Sequence, residues 1–494
     1  MKLNYAQYKD KVKACWIGKN IGGTLGAPYE GKKEFLNVTG FPANAKALPN
    51  DDLDLQLVWL SALERLGVNR INAEDLSEFW LSYIVPPWNE YGVCKTNAKM
   101  GLTAPLSGDY NNTWKHSNGA WIRTEIWACL HPARPDIACQ YAIEDASVDH
   151  GSGEGTIAAV FVCAMQSAAF VLSTARECID VALTKIPEDS RTYKTIQLAI
   201  KCYEEKKGLE EARNLIQKLN ADIGNGWFEA PSNVGYVILG ILYGEGDFKK
   251  SMLYAVNCAD DTDCTAGTVG ATLGILYGTK GLPKDWVKCI GDNIITVAIN
   301  RCVIFDFPKT CTALTERICK LALSASLSGD IFPLLTSAYP RIEFGKEPSI
   351  TSEEAKEKML KCGVCLERLK DVTANSFFKD LTFVNAKVSF PEGLVIKPNE
   401  NLKIKMRFTL NTEVTGNIAT YLNIRWWLPE GFTISGEKAV FVPSWSGWRE
   451  CPAYAYTEFT VTAGENVNPT NKLVAEICGE GRGKVGYIPV TLLG

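Results

Sequence analysis

Near residue 375 the hydrophobic rhythm of this chain changes from the period of a helix to that of a strand, and this limits its fold more than any other feature. Upstream, Leu55, Val58, Trp59, Ala62, Leu63 and Leu66 recur at helical spacing. Residues 157–172 are apolar on all sides, as expected of a helix in the middle of a bundle. Residues 265–278 carry Gly267, Gly270, Gly274 and Gly278. Glycine weakens an exposed helix, so this spacing predicts a helix that others approach closely. Residues 351–369 open with a Ser/Thr cap and early acids, a helix start. Downstream, residues 402–410 alternate apolar and polar with period two, which is a half-buried strand. Residues 421–428, 438–442, 454–461 and 484–490 are further strands between Pro-Glu-Gly, Ser-Gly and Asn-Pro turns. Short strands at this density predict a β-sandwich. The 494 residues exceed one ordinary domain. We expect a mainly α chain, with a helical catalytic domain over 1–374 and a β-sandwich domain over 375–494.

Several classes of function are disfavoured at once. The net charge is -4 and no Lys/Arg-rich run occurs, so no nucleic-acid partner is expected. The longest apolar stretch, 157–172, falls short of a bilayer span, so no membrane partner is expected. The N-terminal stretch lacks an apolar signal region. The 17 cysteines follow no framework and read as reduced thiols of a cytoplasmic protein. The single CxxC, Cys362 to Cys365, reads as structural. Three histidines are too few for a His-rich metal centre.

Two acid clusters point to chemistry. They are Asn50-Asp51-Asp52-Leu53-Asp54 and Asp260-Asp261-Thr262-Asp263, and each precedes an apolar helical run. Adjacent buried carboxylates repel unless a cation or proton compensates. Oxygen-rich sets suit hard cations: Mg²⁺, or else Mn²⁺ or Ca²⁺. The plainer explanation is N-capping, since acids are favoured at helix starts without any metal. Spacing alone does not bring the clusters together.

Five ordered motifs carry a resemblance over about residues 10–320. Gly18-Lys19-Asn20-Ile21-Gly22-Gly23-Thr24-Leu25-Gly26-Ala27-Pro28-Tyr29-Glu30 resembles G-x-x-x-G-D-A-x-G-A-P-x-E of the ADP-ribosylglycohydrolase superfamily, which includes the dinitrogenase reductase-activating glycohydrolases. Asn50-Asp51-Asp52 falls on T-D-D, and Ser117-Asn118-Gly119-Ala120-Trp121-Ile122-Arg123 on G-N-G-A-x-M-R. Val148-Asp149-His150 falls on L-T-H, and Asn257-Cys258-Ala259-Asp260-Asp261-Thr262-Asp263-Cys264 on N-x-G-G-D-T-D-T. The resemblance implies an orthogonal all-α bundle with a centre of one or two magnesium ions. Its ligands would be Asn50, Asp51, Asp52, Asp261, Asp263 and the position of Cys264. Glu30 would be the general base or a substrate orienter, with Asp52 also in a catalytic role. Asn118, Asp149 and His150 would contact substrate.

The departures are chemically specific. Asn50 and Cys264 replace threonines, and a thiol is a poor partner for magnesium. Gly23 replaces an aspartate, Asp149 a threonine, and Asp54 and Asp260 are additional acids. Between the motifs, Pro86-Pro87-Trp88-Asn89-Glu90 and Ser107-Gly108-Asp109 are loop-like. Trp88 and Trp121 are expected to face a sugar, and Glu90 and Asp109 to be catalytic acids. The competing role for such tryptophans is the core. Three functions follow: release of ADP-ribose, hydrolysis of a non-nucleotide glycoside on the same scaffold, or non-catalytic binding of a sugar or nucleotide. The C-terminal strands, with Trp426, Trp427, Trp445 and Trp448, are left with carbohydrate binding, homo-oligomer contacts or cover for the bundle.

Overall fold

A computed structural model of the chain describes residues 1–42, 45–69, 71–300, 306–327, 342–346, 348, 351–411, 416–444 and 453–494. Helices dominate from Tyr5 to Lys370, with one short parallel pairing of Lys2–Asn4 and Glu343–Gly345. The first strand of the C-terminal sheets begins at Ser376. The change of rhythm in the sequence therefore falls between Lys370 and Ser376. The helix start at Thr351 is a full capping box with Glu354, but that helix ends at Lys361. A second one, Val364–Lys370, follows the break at Cys362 and Gly363, where Gly363 leaves helical geometry. Cys362 and Cys365 are buried free thiols at this break. No helix among the described residues is long and apolar enough to cross a membrane.

Two helices form the spine of the helical part, Tyr5–Gly26 and Thr262–Tyr277. Their backbones touch because the contact positions lack side chains. A Cβ on Gly22 would lie 2.2 Å from the carbonyl oxygen of Ala266. One on Gly26 would lie 2.2 Å from the Thr262 backbone, and one on Gly274 2.3 Å from the oxygen of Ala14. Interiors are close-packed, so no larger residue fits at these crossings. Glu154–Ala168 is buried nearly throughout, which is why its sequence shows no polar face.

The C-terminal part holds two open antiparallel sheets. One runs in the order Ser376–Asp380, Val384–Ser389, Asn401–Leu410, Ala455–Thr462, Thr433–Gly436. The other runs Val485–Leu493, Thr470–Gly479, Thr420–Trp427, Ala439–Val442. Leu402, Ile404, Met406 and Phe408 of one share an apolar core with Leu422, Ile424, Leu473 and Ile477 of the other. Leu102 and Leu106, from the helical part, belong to this same core. Thr491 Oγ1 also donates to the Gly101 carbonyl at 2.8 Å. Trp426 packs edge-on to Phe459, whereas Trp427 is half-exposed under the Arg425 guanidinium. Trp445 and Trp448 lie outside the described residues.

Candidate metal centre and active-site cleft

The two acid clusters meet. Oxygens of Glu30, Asp261 and Asp263 lie within 4.8 Å of one another, and so do ligand atoms of Asp52, Asp263 and Cys264. The spine helices explain this. The first ends in the short turn Ala27–Tyr29 and leads to Glu30. There Gly31 N donates to the Asp260 carbonyl at 2.8 Å, and Asp260 N to the Lys32 carbonyl at 2.7 Å. This bridge holds Glu30 beside Asp261, where Thr262–Tyr277 begins. Ala259 and Asp260 both take positive φ, 66° and 68°, in the turn that presents Asp261. Asp51 opens the helix Asp51–Leu66 on the other side.

Capping does not account for these residues. The side chains of Asn50 and Asp261, the two N-cap positions, make no capping hydrogen bond. Both amide atoms of Asn50, which is 4 % exposed, find no hydrogen-bond partner. Asp261 Oδ1 and Asp263 Oδ1 are likewise buried without a donor. The electrostatic consequence is large. Burial, then the charges of Asp52, Asp263 and Asp54, holds the Asp51 carboxyl well above the usual range. Burial, then Asp263 and Glu30, does the same to Asp261. Burial, then Asp52 and Glu30, pushes Asp263 up to about 7. Glu30 is raised by burial and by Asp52. Such a set fits a hard divalent cation, which would supply the missing positive charge.

The extra acids have other tasks. Asp54 Oδ2 accepts from the backbone N–H groups of Val297 and Ala298 at 2.5 and 2.6 Å. Asp260 takes Lys33 Nζ at 2.7 Å, Asn233 Nδ2 at 3.2 Å and Phe228 N at 3.2 Å. Both shape the rim, since Val297 and Phe228 line the cleft.

The cleft has a volume of about 500 Å³. Of the residues chosen from sequence, Glu30, Asp51, Trp88, Glu90, Asn118, Asp261, Asp263 and Cys264 line it. Trp88 is 46 % exposed. Asn118 donates to Asp261 Oδ2 at 2.7 Å and accepts from Trp121 Nε1 at 2.9 Å, so it fixes one carboxylate of the centre. Gly119 leaves room for the Glu90 carboxyl, because a Cβ there would lie 2.1 Å from Glu90 Oε1 and push it aside. Glu90 is buried, its Oε2 finds no partner, and burial raises its carboxyl against the opposing pull of His150.

Behind Glu90 runs a chain of buried polar groups. His150 Nε2 lies 3.9 Å from Glu90 Oε1 and 3.3 Å from Ser117 Oγ. His150 Nδ1 lies 2.9 Å from Asp149 Oδ1. Arg123 grips Asp149 with two bonds of 3.0 and 2.8 Å and reaches Asp145 at 2.9 Å. Despite the burial cost, the Arg123 and His150 charges hold Asp149 down at about 2.

Four expectations need correction, and the first is that His150 contacts substrate, because it is fully buried and does not line the cleft. Asp109 does not line the cleft. Its carboxylate takes Ser152 N, Ser152 Oγ and Lys115 Nζ at 3.0, 2.9 and 3.0 Å, which ties down the loop after His150. Trp121 is fully buried and serves Asn118 rather than a sugar. Asp149 is buried behind His150 and out of reach of the cleft. Lys19, Glu125 and Arg123 were not singled out from sequence as site residues. A lone lysine in the apolar run Cys15-Trp16-Ile17-Gly18-Lys19-Asn20-Ile21-Gly22 was the available signal, since a buried charge must be paired.

Comparison with known proteins agrees with the motifs. A 60-residue stretch is 38% identical to ADP-ribosylarginine hydrolase Tri1 of Pseudomonas putida (strain GB-1), covering 11% of this chain and 16% of that protein. The chain thus matches about a sixth of that relative's length. Among solved structures, an ADP-ribosylglycohydrolase-related protein complex aligns over 65% of this chain and 98% of its own, at 19% identity and a TM-score of 0.41. A FixG-related protein from Vibrio parahaemolyticus covers 22% of this chain and 95% of its own, at 4% identity and a TM-score of 0.18. Both scores are too low to establish a shared fold. The sequence evidence is broader: the chain belongs to the ADP-ribosylglycohydrolase family, whose description matches it over residues 4–321, well over half its length.

Proposed function

We propose that this cleft hydrolyses a glycosidic bond at an anomeric carbon with the help of a divalent cation. One observation carries the reading: the carboxylates Glu30, Asp51, Asp261 and Asp263 line the same cleft as a separate buried carboxyl, Glu90. A cation held by Glu30, Asp261 and Asp263, of which Mg²⁺ is the first choice, would polarise sugar hydroxyls and acidify water. The chain's own residues do the rest. Glu90, whose carboxyl burial raises, donates a proton to the leaving group. His150, positioned by Ser117 and by Asp149 on Arg123, stands 3.9 Å behind that carboxyl. Glu30, at the open side, removes a proton from the attacking water. Trp88 offers an apolar face to the sugar.

Two substrate classes fit this chemistry. The relative's activity on ADP-ribosylarginine supports an ADP-ribosyl substrate. The charge of the cleft supports an uncharged, non-nucleotide glycoside instead. None of the described lining residues is Lys or Arg, so no lining side chain pairs with the two negative charges of a pyrophosphate.

The test is a panel of ADP-ribosyl-arginine, ADP-ribosyl-serine and aryl pyranosides and furanosides, with Mg²⁺, Mn²⁺, Ca²⁺ or chelator. Turnover confined to ADP-ribosyl compounds sinks the glycoside reading. Turnover unaffected by chelator sinks metal assistance. Glu90→Gln should lower kcat roughly 10²–10⁴-fold, the usual worth of a general acid. It should leave metal affinity unchanged. Full activity in Glu90→Gln removes it from the mechanism.

A further inference from the structure

We propose that Lys19 is a built-in cation that replaces one ion of a metal pair, so that this centre holds a single divalent ion, on Glu30, Asp261 and Asp263. The proposal rests on the metal-assisted reading above. It starts from an asymmetry between the two ligand groups. On one side, Asp261 is 5 % exposed, lines the cleft and has an oxygen with no donor. Asp263 Oδ1 is in the same condition, and Glu30 faces both. Here negative charge is uncompensated.

On the other side the charge is already met. Lys19 is fully buried on the first helix. Its ammonium donates to the Ile122 carbonyl at 2.5 Å and to Glu125 Oε1 at 3.0 Å, and forms an ion pair with Asp52 Oδ2 at 3.1 Å. The other oxygen of Asp52 accepts from the Cys264 thiol at 3.4 Å. Asp52 therefore has an ammonium beside one oxygen and a thiol on the other, and the ion pair with Lys19, not a full set of hydrogen bonds, is what meets its charge. Glu125 is fixed in turn by Gln56 Nε2 at 2.8 Å and Gln166 Nε2 at 3.1 Å. The lysine cannot swing away without stranding Glu125 as an unpaired buried charge.

A second ion on Asp52 and Cys264 would face two obstacles. It would share a carboxylate with an ammonium and be repelled by it across a few ångströms of protein interior. It would also have to accept sulfur from a buried thiol, a poor donor for a hard cation. The cysteine alone would weaken the second site. The lysine fills its electrostatic role.

The experiment counts ions on the full chain without using activity. The protein is dialysed against Mn²⁺, bound metal is measured by elemental analysis, and the electron paramagnetic resonance spectrum is recorded. We expect one Mn²⁺ per chain with an uncoupled spectrum. Cys264→Thr, which leaves Lys19 in place, should still bind one. Lys19→Met combined with Cys264→Thr should bind two, with spin coupling between them. Two ions of similar affinity in the wild type, or in Cys264→Thr alone, overturn the proposal whether or not the double variant folds. No bound ion in the wild type overturns the metal reading itself, a result distinct from two ions.

Discussion

At the scale of single residues, two departures from the family motifs belong together. Gly23 stands where the motif has aspartate, and Asn50 where it has threonine. A Cβ on Gly23 would lie 1.9 Å from Asn50 Nδ2. The missing side chain at one position is the room for the longer one at the other. Gly23→Asp alone should therefore cost about 1–3 kcal/mol through overpacking. Adding Asn50→Thr should recover most of that loss, because the shorter side chain vacates the space. A double-mutant cycle by denaturant unfolding measures the coupling, expected at about 1 kcal/mol or more between touching residues. Strict additivity would mean that the two positions are independent. The sequence displayed both substitutions, but as two separate oddities. Spacing along a chain reports which residues share a face of one helix, and it carries no information about a partner 27 residues away. Asp109 shows the same limit in reverse. Its loop setting resembled that of Glu90, yet the fold turns it onto Ser152 and Lys115.

At the scale of elements, the site depends on how closely two helices approach. Of the four spaced glycines in the second helix, Gly270 and Gly274 meet the backbone of the first helix, at Gly18 and Ala14. Gly267 instead faces Asp52 and Lys19, and Gly278 ends the helix at φ 69°. The close approach was legible from the spacing, and its partner was not. Gly22→Ala is the clean probe. In an isolated helix the change would be favourable by about 1 kcal/mol. Here the methyl group would press on the Ala266 carbonyl, so the net effect should be a loss of about 1–3 kcal/mol. Because the same pair carries Glu30, Asp261 and Asp263, metal affinity should fall with stability. Gly483→Ala, where a Cβ meets nothing, is the control and should leave both unchanged. Unaltered metal binding in a destabilised Gly22→Ala would separate the crossing from the site. The strands teach a similar lesson. Asn401–Leu410 shows its alternation fully, since Leu402, Ile404, Met406 and Phe408 all point inward. Thr470–Gly479 shows no clear apolar alternation in sequence, because its inward set begins with a polar Asn471 and includes a small Ala475. Ser376–Asp380 was hidden by adjacent Phe377 and Phe378, which break period two.

At the scale of the whole molecule, the site sets how stability responds to pH. Asp51, Asp261, Asp263, Glu30 and Glu90 all have carboxyls raised above their ordinary values, with Asp263 at about 7. A raised carboxyl means that the folded chain binds protons the unfolded chain has released. Its stabilising contribution is complete below the unfolded value near 4 and is lost as pH rises through the folded value. Asp149 has the opposite sign. It is held at about 2, so its contribution is present above the unfolded value and lost as pH falls toward 2. In chelator these effects move the stability maximum toward the acid side. The melting temperature should then fall from pH 5 to pH 8. A divalent cation reverses the slope, because it binds the deprotonated carboxylates and displaces their protons. At 100 times its Kd the ion should add about 2.7 kcal/mol, and more of the benefit should appear at pH 8 than at pH 5. Scanning calorimetry at three pH values, with Mg²⁺ and with chelator, measures both slopes. A chelated protein that grows more stable toward pH 8 would show that the clustered carboxylates are already neutralised within the fold. In that case their convergence in the cleft would no longer require a cation.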